Sequence, residues 1–337
     1  EYLWPRGDFM SASLNGGTLR SIANKTPIPL SGLMLGLSST GNMIPEYRWF
    51  FGFFALSILA VLIVKIVFDW DSIRNDLKNP AVTGIACTFP MALSVLSTYF
   101  KPYAPGAAFG MWVVAMLIHI GLMVYFTGIA ILKFDVKKCM PSYFIVFVGF
   151  SVNAFIAPVH GQVLFGQMLF WFGLASFLAL FPPLLYRVLV VKGIPEPLIP
   201  TVVIFASPAC VVPYAYLRAY SASPEQWMVW LLFAFSVVFW IGSLMLIPRV
   251  MRMKFYPSYS SLTFPLVITG IAFDATYLYF KGIGNDMAWM QYLTLAAVAL
   301  AAIFVLYVLL RYIHNYIFKP IMASRAEEAA ADASNAR

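Results

Sequence analysis

Ten long apolar segments alternate along the chain with short polar or charged ones. Each approaches the length of about 20 residues that an α-helix needs to cross the hydrocarbon core of a bilayer, although the first and fifth are short. The pattern therefore predicts an all-α integral membrane protein with ten transmembrane helices. The predicted spans are Ile28–Ile44, Tyr47–Phe68, Pro80–Phe100, Gly106–Leu132, Pro141–Pro158, Leu164–Leu189, Leu198–Leu217, Gln226–Ile247, Pro257–Phe280 and Met287–Phe318.

The distribution of basic residues predicts how these spans are oriented. With a cytoplasmic N-terminus, all but four of the 22 Lys and Arg residues fall on the cytoplasmic side, as the positive-inside rule requires. We therefore expect a cytoplasmic N-terminal lead at residues 1–26, a transmembrane domain at 27–319 and a flexible cytoplasmic tail at 320–337. The chain begins at Glu1 without a signal segment, so insertion is expected to rely on the first span. The short tails favour a bacterial inner membrane.

Composition agrees with a membrane setting. Hydrophobic residues make up 61% of the chain and charged residues 11%, against roughly 25% charge in soluble domains. The net charge of +8 follows from the basic cytoplasmic loops, which are suited to contact anionic membrane lipids, and it requires no nucleic acid. Cys87, Cys139 and Cys210 have no paired spacing, so neither a disulfide framework nor a metal site is predicted.

The five odd-numbered spans share a pattern that the even-numbered spans lack. Each odd span starts near a proline and has a helix-breaking residue near its middle, whereas the even spans are apolar on nearly all sides. The starting prolines are Pro29, Pro80, Pro141, Pro200 and Pro257. A broken membrane helix is tolerated where its freed backbone groups are buried in protein or face a watery cavity. We therefore expect kinked odd spans around a pore and an outer ring of even spans.

The mid-span breakers identify candidate pore-lining residues. Thr88-Phe89-Pro90 in the third span matches Thr263-Phe264-Pro265 in the ninth. The alternative is that these residues only shape helix packing. The full set of pore-lining candidates is Gly32, Gly36, Phe89, Pro90, Gly149, Ser207, Pro208, Ser261 and Pro265.

Two phrases carry a resemblance to a known family. They are PLSGLMLGL at residues 29–37 and PSYSSLTFPL at residues 257–266. Together with the ten spans they resemble the tellurite-resistance/dicarboxylate transporter family. This family includes the bacterial TehA channel homologue, yeast malate and sulfite transporters, and the plant guard-cell slow (SLAC-type) anion channels. The similarity covers residues 28–318.

The resemblance implies five helical hairpins in a quasi-fivefold arrangement around a central pore, and a homotrimer in which each subunit has its own pore. It also implies that Phe264 plugs the pore and that Gly32 lies close to it. The chain departs from the family pattern at two places. Met34 stands where bacterial relatives often have a proline, and Tyr259 and Ser260 replace an aromatic pair common in the plant channels.

Three assignments compete with simpler structural explanations. Phe264 is either an aromatic gate or one of the packing residues that are usual in membrane spans. Asp274, the only acidic residue well inside a predicted span, is either a proton-coupling group or a packed, hydrogen-bonded or protonated structural residue. The cationic and imidazole side chains of the outer loops either form a funnel that concentrates anions or complement helix ends. They are Arg48, Lys101, His160, Arg218 and Lys281.

The sequence therefore predicts an anion channel or transporter that passes small inorganic or organic anions through a central pore in each subunit, gated by Phe264. The alternative is a proton-coupled carrier for C4-dicarboxylates or for oxyanions of the sulfite or tellurite type. An enzyme or redox protein is not favoured, because His119, His160 and His314 do not form a haem-ligand pattern and no zinc or phosphate motif is present. No cofactor is expected.

Overall fold

The computed structural model describes residues 16–320 and 322, which form helices without any β-strand. The predicted lead up to residue 15 and nearly all of the predicted tail at 320–337 lie outside the described residues. The described end of the lead is helix α1 (Gly16–Lys25), which packs against the second span. There the buried Lys65 Nζ donates a hydrogen bond to the carbonyl of Ala23 at 3.3 Å and pairs with Asp69 at 2.8 Å.

Five long helices correspond to the predicted even spans. Only 17% to 33% of the residues in their most apolar segments are buried within the subunit. Helices with such apolar exposed surfaces are stable against lipid tails or other apolar helices. They are α3 (Arg48–Phe68), α7 (Pro105–Phe126), α10 (Val163–Tyr186), α12 (Gln226–Met251) and α14 (Ala288–Ile313).

The odd spans lie inside the layer of even spans, and four of them are broken. In these four, 78% of the residues in the most apolar segment are buried. The third consists of α5 (Pro80–Ala86) and α6 (Thr88–Phe100), and the fifth of α8 (Tyr143–Phe147) and α9 (Val152–Ile156) with 3₁₀ turns at Gly149–Ser151 and Ala157–His160. The seventh is a 3₁₀ helix, Glu196–Phe205, followed by α11 (Ala206–Ala219). The ninth is a 3₁₀ helix, Pro257–Leu262, followed by α13 (Phe264–Gly282).

The expected break in the first span is wrong. Helix α2 runs without interruption from Leu30 to Met43. Gly32 and Gly36 keep their backbone N–H groups, so they do not interrupt helical hydrogen bonds as proline does. Their missing side chains instead allow close packing, since a Cβ on Gly32 would lie 2.9 Å from Ser260 Oγ.

The expected start of the seventh span at Pro200 is also wrong. The span begins at Glu196, and Pro200 lies inside its 3₁₀ helix. Pro197 takes the position in the first turn, where the missing N–H would have no helical partner anyway.

The five odd spans close into a ring. Contacts run from α2 to α6, from α6 to α9, from α9 to α11, from α11 to α13 and from α13 back to α2. Each odd span also packs against the even span that follows it. Nine helices of the described chain are long and apolar enough to cross a membrane. The remaining odd span, α2, has 14 residues and covers only about 21 Å.

Candidate functional site

A small cavity lies at the centre of the ring, and all five odd spans contribute to its wall. About 30 Å³ of it is open to the centre of a water molecule, which is room for about two waters. Of the residues singled out in the sequence, the cavity is lined by Gly32, Gly149, Ser207, Pro208, Ser261, Phe264 and Pro265. The described residues of the wall include no charged side chain.

The helix breaks point helix N-termini at this cavity. Pro90, Pro208 and Pro265 lie in the first turns of α6, α11 and α13, where a missing N–H costs no helical hydrogen bond. The 3₁₀ helices that precede α11 and α13 are separate elements, so each of these helices begins beside the cavity. A helix N-terminus carries a partial positive charge and unpaired N–H groups, which favour an anion.

Phe264 is the first residue of α13 and is held in place by the first span. Its side chain lines the cavity and is 5% exposed. The preceding Thr263 places its hydroxyl 3.1 Å from the carbonyl oxygen of Gly32 and 2.7 Å from that of Ser260. A Cβ on Gly36 would overlap the Thr263 side chain. The two glycines of α2 therefore set how closely α2 approaches the break that carries Phe264.

Two hydroxyls in the wall are free to meet an ion. Ser207 and Ser261 make no side-chain hydrogen bond with any described residue, and both line the cavity. Two other polar groups of the odd spans bond across helices instead. Ser31 Oγ lies 2.7 Å from Thr88 Oγ1, and Asn153 accepts a hydrogen bond from Trp112 Nε1 at 2.9 Å. Within the wall, the bonded hydroxyl of Thr88 thus has a structural partner, whereas those of Ser207 and Ser261 do not.

Three of the predicted pore-lining residues are not part of the cavity wall. Gly36 lies against Thr263, one helical turn along α2 from the wall residue Gly32. Phe89 and Pro90 are also absent from the wall, which takes Thr88 and Met91 from α6. Because successive helical residues are about 100° apart, a face that includes Thr88 turns Phe89 aside.

Two of the basic residues expected at an outer mouth are engaged with neighbours. Arg48 Nη2 donates a hydrogen bond to the carbonyl of Thr98 at 2.8 Å, and the guanidinium lies 4.4 Å from the centre of the Tyr99 ring. Lys281 Nζ lies 3.6 Å from Asp286 Oδ2. These contacts favour a role in fixing the helix ends.

The other three members of this group differ in exposure. His160 is buried, because its ring stacks on Trp112 at 4.9 Å and its Nε2 lies 3.0 Å from Ser97 Oγ. Its imidazole is therefore packed against neighbouring helices, which does not favour a part in an exposed funnel. Arg218 is exposed and Lys101 is half-buried, and neither makes a hydrogen bond or ion pair with a described residue.

Asp274 has none of the contacts expected of a hydrogen-bonded structural residue. Its side chain is exposed and makes no hydrogen bond or ion pair within the described part of the chain. Tyr214 on α11 lies within electrostatic reach of it.

The described residues also contain no group of three or more His, Cys, Asp or Glu side chains that could hold a metal ion.

A comparison with protein families identifies the group to which this architecture belongs. The model of the voltage-dependent anion channel (SLAC1) family matches residues 28–313, from the turn before α2 to the end of α14. The chain belongs to this family. The match confirms the resemblance found in the sequence and the helical membrane fold. A search of curated protein sequences finds no match.

Membership of the voltage-dependent anion channel family makes this protein a multi-pass anion channel or transporter. The matched segment contains every element of the ring and every residue of the cavity wall. The sequence pattern does not mark the apolar residues of that wall or its residues Thr88 and Ser260, although each lies within about one helical turn of a predicted breaker or of another wall residue. The missed residues are Leu35, Ile85, Thr88, Met91, Phe144, Ile145, Val148, Ile204, Val211 and Ser260.

Proposed function

We propose that this protein passes small anions through the centre of the ring in each subunit and that Phe264 closes this path. The observation that carries the proposal is a cavity bounded by all five odd spans, with helix N-termini and two unbonded hydroxyls beside it. These groups attract an anion through partial charges alone. Since the wall has no fixed positive charge, binding is weak enough for an ion to leave, and selectivity among anions is low.

Phe264 is suited to act as the gate because of its place and its surroundings. It stands at the N-terminus of α13, facing residues from the other four odd spans. The space beside it holds about two waters, which is too little for an anion with its hydration shell. Displacement of the Phe264 side chain would therefore open the path.

The first experiment compares wild type with Phe264→Ala in liposomes, using efflux of chloride, nitrate, sulfite and malate. We expect almost no anion efflux from wild type and a flux at least about tenfold higher for the variant. This increase is equivalent to lowering the free-energy barrier to permeation by about 1.4 kcal/mol. Phe273→Ala is the matched control, because Phe273 is buried on the same helix but packs against Phe233 and Trp240 outside the cavity. It should leave the flux at the wild-type level.

Two results would contradict the gate. One is equal flux from wild type and Phe264→Ala. The other is saturable, proton-dependent uptake of a single dicarboxylate or oxyanion by wild type, which would support the carrier and give Asp274 the coupling role.

We further propose a homotrimer in a bacterial inner membrane with both termini in the cytoplasm. The support is the family resemblance and the positive charge concentrated in one set of loops. The even spans expose broad apolar faces that are available to lipids and to neighbouring subunits. Native mass spectrometry in detergent measures the number of subunits directly.

A further inference from the structure

The face of α11 that lines the cavity continues toward the C-terminal end of that helix. Ser207 and Val211 belong to the cavity wall. Tyr214 and Arg218 follow Val211 by three and seven residues, so they lie on the same helical face. Tyr214 is half-buried and Arg218 is exposed. The face therefore becomes more open with distance from the cavity.

Helix α13 shows the same change in exposure. Phe264 lies at the cavity, and Ile271 and Leu278 continue its face at intervals of seven residues. Ile271 is half-buried and Leu278 is 55% exposed. Asp274 is turned about 80° from Phe264 on an ideal helix, at the edge of this face, and its side chain is exposed.

The open side of α13 faces the axis of the ring. α2 and α11 flank the helix within the ring, while α12 and α14 pack on it from the outer layer. A carboxylate that faced lipid would carry a large penalty, so intramembrane carboxylates face the bundle interior or a water-filled cavity. Asp274 lies about 12 Å along α13 from Gly282. On this ground we place Asp274 in an inferred vestibule between the cavity and the C-terminal end of α13.

The charge of Asp274 is not neutralised by direct contact. It has no hydrogen bond or ion pair with any described residue, and the cationic Arg218 of α11 lies, like Asp274, within electrostatic reach of Tyr214. Helix α2 contributes no ionisable side chain to the vestibule. An anion that approaches the cavity from this end thus passes the repulsive Asp274 as well as the basic residues at the ends of the odd spans, of which Arg218 lies on the α11 face that lines the cavity.

We propose that Asp274 is a specificity-determining residue, which disfavours divalent anions relative to monovalent ones in this vestibule. The inference rests on the proposed anion path. At a given distance and dielectric constant, a carboxylate repels a dianion twice as strongly as a monoanion. Arg218 acts in the opposite direction and attracts the dianion more strongly. The ratio of divalent to monovalent flux is therefore the quantity that Asp274 sets.

The test measures chloride and sulfate efflux from liposomes with Phe264→Ala as the conducting background. Adding Asp274→Asn should raise the sulfate-to-chloride ratio by about three- to tenfold, as expected for a charge several ångströms from the path in a partly aqueous environment. Asp274→Glu should retain the low ratio, and Arg218→Gln should lower it further. Glu225→Gln is the control, because it removes an exposed carboxylate at the start of α12, outside the vestibule.

The outcomes separate this inference from the proposed function. If the Phe264→Ala background conducts and Asp274→Asn leaves the ratio unchanged, or Glu225→Gln changes it equally, the inference is wrong and the anion path stands. If the background passes no anion, both fail.

A second measurement tests the position of Asp274 without requiring flux. Asp274→Cys should react with a membrane-impermeant thiol reagent added from the side of the vestibule, because only a hydrated thiol ionises readily. Leu295→Cys is the matched control, since Leu295 lies at a similar depth on α14 and its exposed side chain faces outward from the ring. The native cysteines Cys87, Cys139 and Cys210 are buried. Equal labelling of the two variants would overturn the inference.

Discussion

At the residue scale, the approach of α2 to the ninth span depends on the absence of a side chain at Gly32 and Gly36. A Cβ on Gly36 would overlap Thr263, whose backbone leads directly into Phe264. We therefore expect Gly36→Ala to separate the two spans and to lower the free energy of unfolding by about 1–3 kcal/mol, as overpacking does in other cores.

The unfolding midpoint of purified protein in detergent measures this effect. Gly121→Ala is the matched control, because a Cβ at Gly121 on α7 would meet nothing within 4 Å, and alanine is a better helix former by about 1 kcal/mol. An unchanged midpoint for Gly36→Ala would show that α2 can move without cost.

The sequence identified some residues of the cavity wall and missed others for one physical reason. Phe264 and Ser207 adjoin prolines, and proline is recognisable because it cannot donate a backbone hydrogen bond. Leu35 and Met91 have no such marker, and an apolar residue in a membrane span looks the same whether it faces lipid or a pore. The sequence predicts Phe89 and not Thr88 as a wall residue, because the position of a break does not determine which face of the following helix turns toward the pore.

At the element scale, the fifth span shows a break that is maintained without a mid-span proline. His119 of α7 is buried beside the C-terminal end of α8. Its Nε2 donates a hydrogen bond to the carbonyl of Val146 at 2.9 Å. His119→Leu would leave that carbonyl without the bond. We expect a loss of about 1–3 kcal/mol in the free energy of unfolding, which is the penalty for an unpaired buried polar group.

Thermal unfolding of His119→Leu beside His119→Gln distinguishes the hydrogen bond from the volume of the ring. The glutamine amide keeps a donor and should recover part of the loss. His314→Leu, at an exposed position in the last helical turn, should leave stability unchanged. Equal losses in all three variants would contradict a specific role for His119.

Nine of the ten spans could be predicted because length and hydropathy suffice for them, whereas the internal geometry of the spans could not be predicted. The sequence pattern predicts helix breaks at both glycine and proline, yet only proline lacks the backbone N–H group that a continuous helix needs. This difference explains why α2 is straight although Gly32 and Gly36 lie in it. The break at Gly149 was predicted from its offset, and the partner that supports it, His119, lies on another span.

At the scale of the whole molecule, the charge bias predicts the orientation in the membrane. Four of the five loops between an odd span and the next even span carry a single Lys or Arg, while the loops after even spans carry most of the remainder. We therefore expect Ala104→Cys, in the loop between α6 and α7, to react with a membrane-impermeant thiol reagent in intact cells. Lys133→Cys, in the exposed loop after α7, should react only after the cells are opened.

Reaction of Lys133→Cys in intact cells, with Ala104→Cys protected, would reverse the assigned orientation. The fold and the cavity would be unaffected by that result, because neither depends on which face of the ring is cytoplasmic.

The hydrogen bond between Thr263 and Gly32 joins residues that are 231 positions apart. The first and ninth spans are neighbours in the ring, so a growing chain cannot complete the ring until almost all of it has been synthesised. Until then, the glycine-rich side of α2 and the wall residues of the earlier odd spans remain without their final partner. During biogenesis the incomplete ring of odd spans must therefore be kept out of contact with lipid. Chains truncated before the ninth span should be retained by the insertion machinery or degraded.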